Sequence, residues 1–306
     1  RAVSGIRNAR FDRGTGVHRV PVPVISVGNL AVGGAGKTPF AAFVANEVAG
    51  RGWSPAVVLR GYGGDEVLVH RELNPEIPVF ADPRRVDAAR AAVAAGCDAV
   101  VMDDGFQHRA LVRDLDVVLV AAESWAARPR LFPRGPWREG PDALRRAHVA
   151  VVTRKSATPE RAREVAAALA RHVPEIALVL ADLVPTGLAA LHGDGARPLD
   201  WLAGQRVLAV AALADPEPFF TTLRMHGAEV EAVAFADHHA FTPGDADGIG
   251  GRAGKRAIVM TLKDAVKLRP LLSSHREAYV LEQTVRIVDG MDALQAALDV
   301  ALRERT

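Results

Sequence analysis

A chain of 306 residues, 49% hydrophobic and 24% charged, carries enough apolar material for two ordinary cores and is neither a disordered nor a fibrous polymer. A formal net charge of +2 argues against a polycation built for nucleic acid, and the single cysteine, Cys97, excludes internal disulfides and cysteine-based zinc sites. No apolar run is long enough to span a bilayer, and no secretory signal is visible.

Taken in order, the first twenty residues hold Arg1, Arg7, Arg10, Arg13 and Arg19 against one acid, Asp12. Alone, this stretch reads as a solvated lead-in; a sharper reading is the remnant of an interfacial helix that attracts anionic headgroups. Arg1 is not an ordinary chain start, so a preceding segment is expected.

The organising stretch follows. Val24 to Leu30 reads as a buried strand, and Gly33-Gly34-Ala35-Gly36-Lys37-Thr38-Pro39 as a glycine-rich turn opening a helix. Glycines let backbone N–H groups close on a polyphosphate, and the helix N-terminus adds partial positive charge. Lys37 would reach the β- and γ-phosphates and the Thr38 hydroxyl would ligate Mg²⁺. The full phosphate-loop pattern asks for glycine at 31 and meets Ala31, but the tighter Gly-Gly-x-Gly-Lys-Thr core is present. Only five of the 38 basic side chains (Lys plus Arg) are lysines, which makes a lysine here less accidental.

A helix from Pro39 to Ala49 stops at Gly50, and the strand Ala56–Leu59 empties into Arg60-Gly61-Tyr62-Gly63-Gly64. Ile77–Phe80 is a further strand, followed by a helix from Pro83 to Ala95 behind Asp82. Alternating strands and helices predict a doubly wound parallel sheet. The next strand, Ala99–Met102, ends in Asp103-Asp104-Gly105-Phe106-Gln107-His108. Of two carboxylates beside a phosphate loop, one can hold Mg²⁺ and the other can take the nucleophile's proton. Asp103 is the preferred base and Asp104 the preferred metal ligand, although spacing does not separate them. Gln107 and His108 add hydrogen-bonding groups, and Arg138, in Pro133-Arg134-Gly135-Pro136-Trp137-Arg138-Glu139, can clamp an anion.

The strand Val149–Thr153 closes a nucleotide-binding lobe of residues 1–153, and residues 154–306 are expected to form a second, smaller α/β/α lobe. That half contains a helix over Pro159–His172, strands over 176–181, 206–212, 229–236 and 257–261, a loop or small hairpin over 185–200, a helix over Pro216–His226 and a closing helix over Met291–Arg303. Asp237-His238-His239 follows one of these strands, and on spacing alone the histidine pair reads as half-exposed and inert.

Together the segments resemble the tetraacyldisaccharide 4′-kinases of lipid A biosynthesis. The resemblance rests on residues 23–39, Arg60-Gly61-Tyr62-Gly63, residues 103–108 and 133–139, Asp237-His238-His239, and Thr261-Leu262-Lys263-Asp264-Ala265-Val266-Lys267-Leu268, all in the family's order. It implies a P-loop NTPase-like α/β fold with two lobes and transfer of the ATP γ-phosphoryl group to the 4′-hydroxyl of a disaccharide 1-phosphate. It implies ATP and Mg²⁺ as cofactors and a lipid A precursor as partner, with no nucleic acid and no obligate protein partner. The expected location is peripheral, at the cytoplasmic face of a Gram-negative inner membrane.

Carried over by motif, Asn29, Gly33, Gly34, Ala35, Gly36, Lys37, Thr38 and Pro39 bind the nucleotide, and Thr38 and Asp104 the metal. Asp103, Asp104 and Lys37 act in catalysis, with His238 supporting the base from the second lobe. Arg60, Tyr62, Gln107, His108 and Arg138 face the acceptor. The chain departs from the family at Arg134, usually alanine, at Leu262, usually glutamate, and in a shortened segment between Gly64 and Asp65. Rival readings are a nucleotide-dependent switch, such as a partitioning or metal-delivery ATPase or GTPase, and a kinase with a soluble acceptor. The switch is disfavoured by Val32, where many such proteins carry lysine.

Overall fold

The computed structural model describes residues 16–61 and 64–303, and the chain divides into two compact units. The first takes the described residues up to Asp182 together with those from Val285 onward; the second is Leu183–Thr284. Most of the basic lead-in and Tyr62 lie outside the described residues.

The first unit is organised on parallel strands β1 (Val24–Asn29), β2 (Pro55–Leu59), β3 (Val79–Ala81), β4 (Ala99–Asp103), β5 (Leu115–Ala121), β6 (Val149–Arg154) and the start of β7 (Ala177–Ala190). Their spatial order is β7-β6-β5-β1-β4-β2-β3, with every neighbouring pair parallel. Such strands are buried on both faces, and alternate side chains divide between two cores. Ala99 and Val101 of β4 join the core shared by Phe40, Val44 and Val48 of helix α1 (Lys37–Ala49). Val100 and Met102 turn to the opposite core. There they meet Val86, Ala89 and Ala92 of helix α3 (Arg85–Ala94), which follows helix α2 (Asp65–Leu73) in the chain. Helix α4 (Pro159–His172), capped by the Thr158 side chain, packs Val165 and Leu169 against Val118, Val120 and Val152. Helices on both faces of a parallel sheet are the doubly wound architecture expected.

The second unit has its own parallel strands β9 (Arg206–Ala211), β10 (Glu229–Ala234), β11 (Ile258–Met260) and the start of β12 (Ala278–Asp289). Segment 185–200 is the expected hairpin, in which β8 (Ala196–Arg197) pairs antiparallel with β7. Helix α5 (Glu217–Met225) covers one face through Phe219, Phe220 and Leu223. Helices α6 (Pro243–Ala253) and α7 (Leu262–Leu268) cover the other through Ile249, Ala265 and Leu268.

The division differs from the boundary expected after Thr153. Helix α4 and the start of β7 stay with the first unit, and helix α8 (Met291–Arg303) returns to it. The reason is the α8 stripe of Leu294, Leu298, Ala301 and Leu302, which is buried against Ile25, Val27 and α1 in the first unit's core. Arg51 fixes it further, 3.0 Å from Asp299.

Candidate active site

Strand β1 is buried at all six positions and delivers the glycine loop to the carboxyl edge of the sheet. Gly33 and Gly36 have φ of 122° and 83°, a region that favours glycine, and Gly36 immediately precedes α1. Lys37 and Thr38 are therefore the first two helical residues, and the N–H groups of that turn are open to an anion. Pro39 sits where its missing N–H costs nothing. The loop is held from β6, where the buried Thr153 hydroxyl donates to the Ala35 carbonyl at 3.0 Å. A side chain at Gly34 would meet Lys155, because its Cβ would stand 3.1 Å from the Lys155 Nζ.

Parallel pairing of Val27 with Asp103 sets the end of β4 beside the end of β1. Asp103 is buried; its Oδ2 accepts from the Thr38 hydroxyl at 2.9 Å and from His70 Nε2 at 2.9 Å. A carboxylate can only accept, so this bond selects the His70 tautomer protonated on Nε2. Burial pushes the Asp103 carboxyl up, but the His70 bond and charge, Lys37 and the Thr38 hydroxyl outweigh it and hold the group below the usual carboxylate range. Its Oδ1 is buried and takes no hydrogen bond among the described residues.

Asp104 lies in a different environment. It is left-handed, with φ 53°, and its carboxylate sits 3.6 Å from Lys37 Nζ and accepts from Arg138 Nη1 with both oxygens at 2.8 Å. The Asp104 carbonyl accepts from Arg85 Nη2 at 3.1 Å. Arg85 is buried in the first turn of α3, where desolvation lowers its pKa despite the Asp104 and Asp103 charges. Among the described residues the only non-glycine positions with positive φ are Asp104 and His238, and such backbone tends to collect at functional sites.

Around this pair, Gln107 Nε2 donates to the Asn29 carbonyl at 2.8 Å, and Arg138 Nη1 lies 3.3 Å from Gln107 Oε1. The Arg138 N–H donates to the Leu30 carbonyl at 2.7 Å, so the acceptor loop is stitched to the phosphate loop. Asn29 is buried with its side-chain oxygen lacking a hydrogen bond among the described residues. His108 is half-buried at the same edge, and Arg60 is exposed after β2. Sequence reasoning passed over α2 and with it Asp65, Glu66 and His70, and it gave no signal for Arg85. Two acids directly behind a glycine loop at a strand end were the available clue to α2.

His238 belongs to the second unit. Its Nε2 lies 3.1 Å from Lys263 Nζ, a permanent donor, so that nitrogen acts as acceptor. Lys267 Nζ donates to the His239 carbonyl at 3.0 Å, and His239 Nε2 lies 3.2 Å from Asp245 Oδ2. The imidazole bonded to Asp103 is His70, of the first unit, where the sequence expectation named His238.

A family model for tetraacyldisaccharide-1-P 4′-kinase, LpxK, matches residues 1–67 and 63–303. The chain belongs to the LpxK family. The two matched stretches meet at residues 63–67, where the sequence indicates a segment shorter than the family's. The tetraacyldisaccharide 4′-kinase of Anaeromyxobacter dehalogenans strain 2CP-C is 43% identical, over 97% of this chain and 87% of its own length. That of Xanthomonas euvesicatoria is 38% identical, over 88% of this chain and 81% of its own. The solved LpxK from Aquifex aeolicus, in complex with ATP, has a TM-score of 0.73 at 25% identity and covers 98% of this chain and 95% of that one. LpxK likeness over nearly the whole chain bears out the P-loop NTPase-like α/β fold.

Proposed function

We propose that this LpxK-family chain transfers the γ-phosphoryl group of ATP to the 4′-hydroxyl of a tetraacyldisaccharide 1-phosphate. The observation that carries the reading is the pairing of the phosphate loop with the acidic strand end, Thr38 to Asp103 and Lys37 to Asp104. Open N–H groups at the start of α1 receive the polyphosphate, and Lys37 supplies a point charge to the transferring group. Arg138, oriented by Gln107 and Asp104, adds a second cation at the same rim.

The donor set fits Mg²⁺: a threonine hydroxyl and two carboxylates, one of which, Asp103, keeps its buried Oδ1 without a hydrogen bond among the described residues. Thr38, Asp103 and Asp104 would hold it, and when bound it offsets charge on the β- and γ-phosphates. Among the described residues no three His, Cys, Asp or Glu side chains converge on a metal position, which suits an ion that takes most of its remaining ligands from phosphate and water.

This arrangement argues against Asp103 as the proton acceptor, because its Oδ2 is already shared between the Thr38 hydroxyl and His70 and its Oδ1 is turned away from solvent toward the metal position. Asp104 has both oxygens engaged by Arg138 at 2.8 Å and Lys37 3.6 Å away, so its lone pairs point at cations and not at an acceptor hydroxyl. We assign the proton to Asp65. It opens α2 behind the Arg60–Gly64 loop and is buried, as Val69 and His70 of the same helix are. His238 stays a proposed catalytic residue on the family motif alone; its imidazole bonds Lys263 of its own unit. Arg60, Tyr62 and His108 remain proposed acceptor contacts.

Among the described residues no helix is long and apolar enough to cross a membrane. We place the protein peripherally at the cytoplasmic face of the inner membrane, where a lipid acceptor would be met. The test is incubation with Mg-ATP labelled at the γ-position and a detergent-dispersed tetraacyldisaccharide 1-phosphate. Label on the 4′-oxygen is expected; ATP turnover indifferent to the lipid would overturn the reading in favour of a nucleotide switch.

A further inference from the structure

The loop between β5 and the acceptor segment has a composition that the phosphate chemistry leaves unused. Over Arg128-Pro129-Arg130-Leu131-Phe132-Pro133-Arg134 it carries three arginines and no acid. All three are exposed, and none has a hydrogen bond or ion pair from its side chain among the described residues. The flanking acids are engaged elsewhere. Glu123 accepts the N–H groups of Lys155, Ser156 and Ala157 at 2.6, 3.0 and 3.0 Å, and Glu139 pairs with Arg146 at 2.8 Å.

Phe132 stands among these charges at 73% exposure. An aromatic ring left in water is costly for a loop that is free to turn it inward, and this backbone is fixed outward. The Phe132 N–H donates to the Trp137 carbonyl at 2.7 Å and the Arg134 N–H to the Leu131 carbonyl at 2.9 Å. Trp137 is buried and meets Trp125 edge-on at 5.7 Å, which anchors the base of the loop. Val32, 50% exposed, adds a second apolar side chain, tied to the loop by its N–H on the Pro136 carbonyl at 2.7 Å.

We propose that the Arg128–Arg134 loop, with Phe132 at its tip, docks on the surface of an anionic lipid bilayer. Unpaired guanidinium groups complement anionic headgroups, and a ring among them can enter the interface, the combination found in membrane-surface segments. Choosing a bilayer over another anionic surface rests on the lipid acceptor proposed above. Arg138 follows the loop directly, so docking would present the phosphate site to the surface that carries the acceptor.

The test uses the full chain with vesicles of phosphatidylglycerol and phosphatidylcholine, and with phosphatidylcholine alone as control. Each arginine near an anionic surface is worth about fivefold in partitioning, so Arg128→Ser, Arg130→Ser and Arg134→Ser combined should lower binding about a hundredfold at low salt. Because the basic N-terminal segment could also bind, a local readout is added. Phe132→Trp should gain fluorescence that brominated lipids quench in the anionic vesicles, above the background of the native tryptophans. Both variants should keep the parent's melting temperature and its activity on detergent-dispersed acceptor. Undiminished binding by the triple variant, no added quenching in Phe132→Trp, or loss of the triple variant's activity in detergent would each overturn docking. Absence of kinase activity in the parent would instead sink the lipid-acceptor reading and leave the vesicle result to judge the loop.

Discussion

In the first unit, β1 and β4 end side by side in a glycine loop and an acidic pair, where Thr38 and His70 hold Asp103 and Arg138 holds Asp104. In the second, β10 and β11 end on either side of β9 at the edge of a parallel sheet flanked by helices, and the groups presented are His238, Asp237 and Lys263. That edge has no glycine cradle, and His238 is exposed. The same layered architecture thus carries two kinds of edge, one with a glycine loop opening a helix and one without. Function follows what the loops carry, and the sheet supplies position.

The comparison can be broken most sharply at the proposed base. Asp65→Asn should lower kcat by about 10²–10⁴, the span of general base catalysis, and His238→Ala by a similar factor; an unchanged kcat in either would remove that residue from the catalytic set. Next, Lys37→Ala should lower kcat by about 10²–10³ with an unchanged melting temperature, while Lys263→Ala in the second unit should cost far less. Equal losses would erase the distinction between the two edges.

A smaller effect is expected at His70. His70→Leu removes a hydrogen bond from a buried carboxylate, at a cost of about 1–3 kcal/mol in stability, and should raise the Mg²⁺ concentration for half-maximal rate. His70→Gln, which can still donate, should recover part of both, as read by melting curves and Mg²⁺ titration. The smallest concerns Glu123, held below the ordinary glutamate range: burial pushes it up, and the N–H groups of Lys155, Ala157 and Ser156 outweigh it. A depressed folded pKa contributes stability above the unfolded value of about 4.3, lost as pH falls through the folded pKa. Glu123→Gln should therefore be less stable than the parent at neutral pH, by under about 1 kcal/mol for a solvent-open group, and equal to it in acid.

The legible parts of the sequence were those with local signatures. Glycines 33, 34 and 36, the apolar run into Asp103 and the amphipathic stripe of α4 each declare their role within a dozen residues. Helix α2 did not, because Val67, Val69 and the charges around them carry no helical stripe and the helix is short. Helix α6 hides Gly244, Gly248, Gly250 and Gly251 in its span and is started by the Thr242–Asp245 capping box and Pro243, which outweigh its poor propensity. Arg85 and His70 matter through burial against residues far along the chain, and α8 joins the first unit through a stripe that does not name its partner. These are tertiary facts with no local trace.

The return of α8 also sets an order of assembly. Leu294, Leu298, Ala301 and Leu302 complete the core that holds α1 against the phosphate-loop strand, yet about a hundred residues of the second unit are made before them. At ribosomal rates that is a delay of roughly 5–20 s, during which the core under α1 stays open on its α8 side while the second unit, contiguous in sequence, can close its own core. During synthesis the inserted unit is therefore ready first, and the catalytic sheet waits for α8.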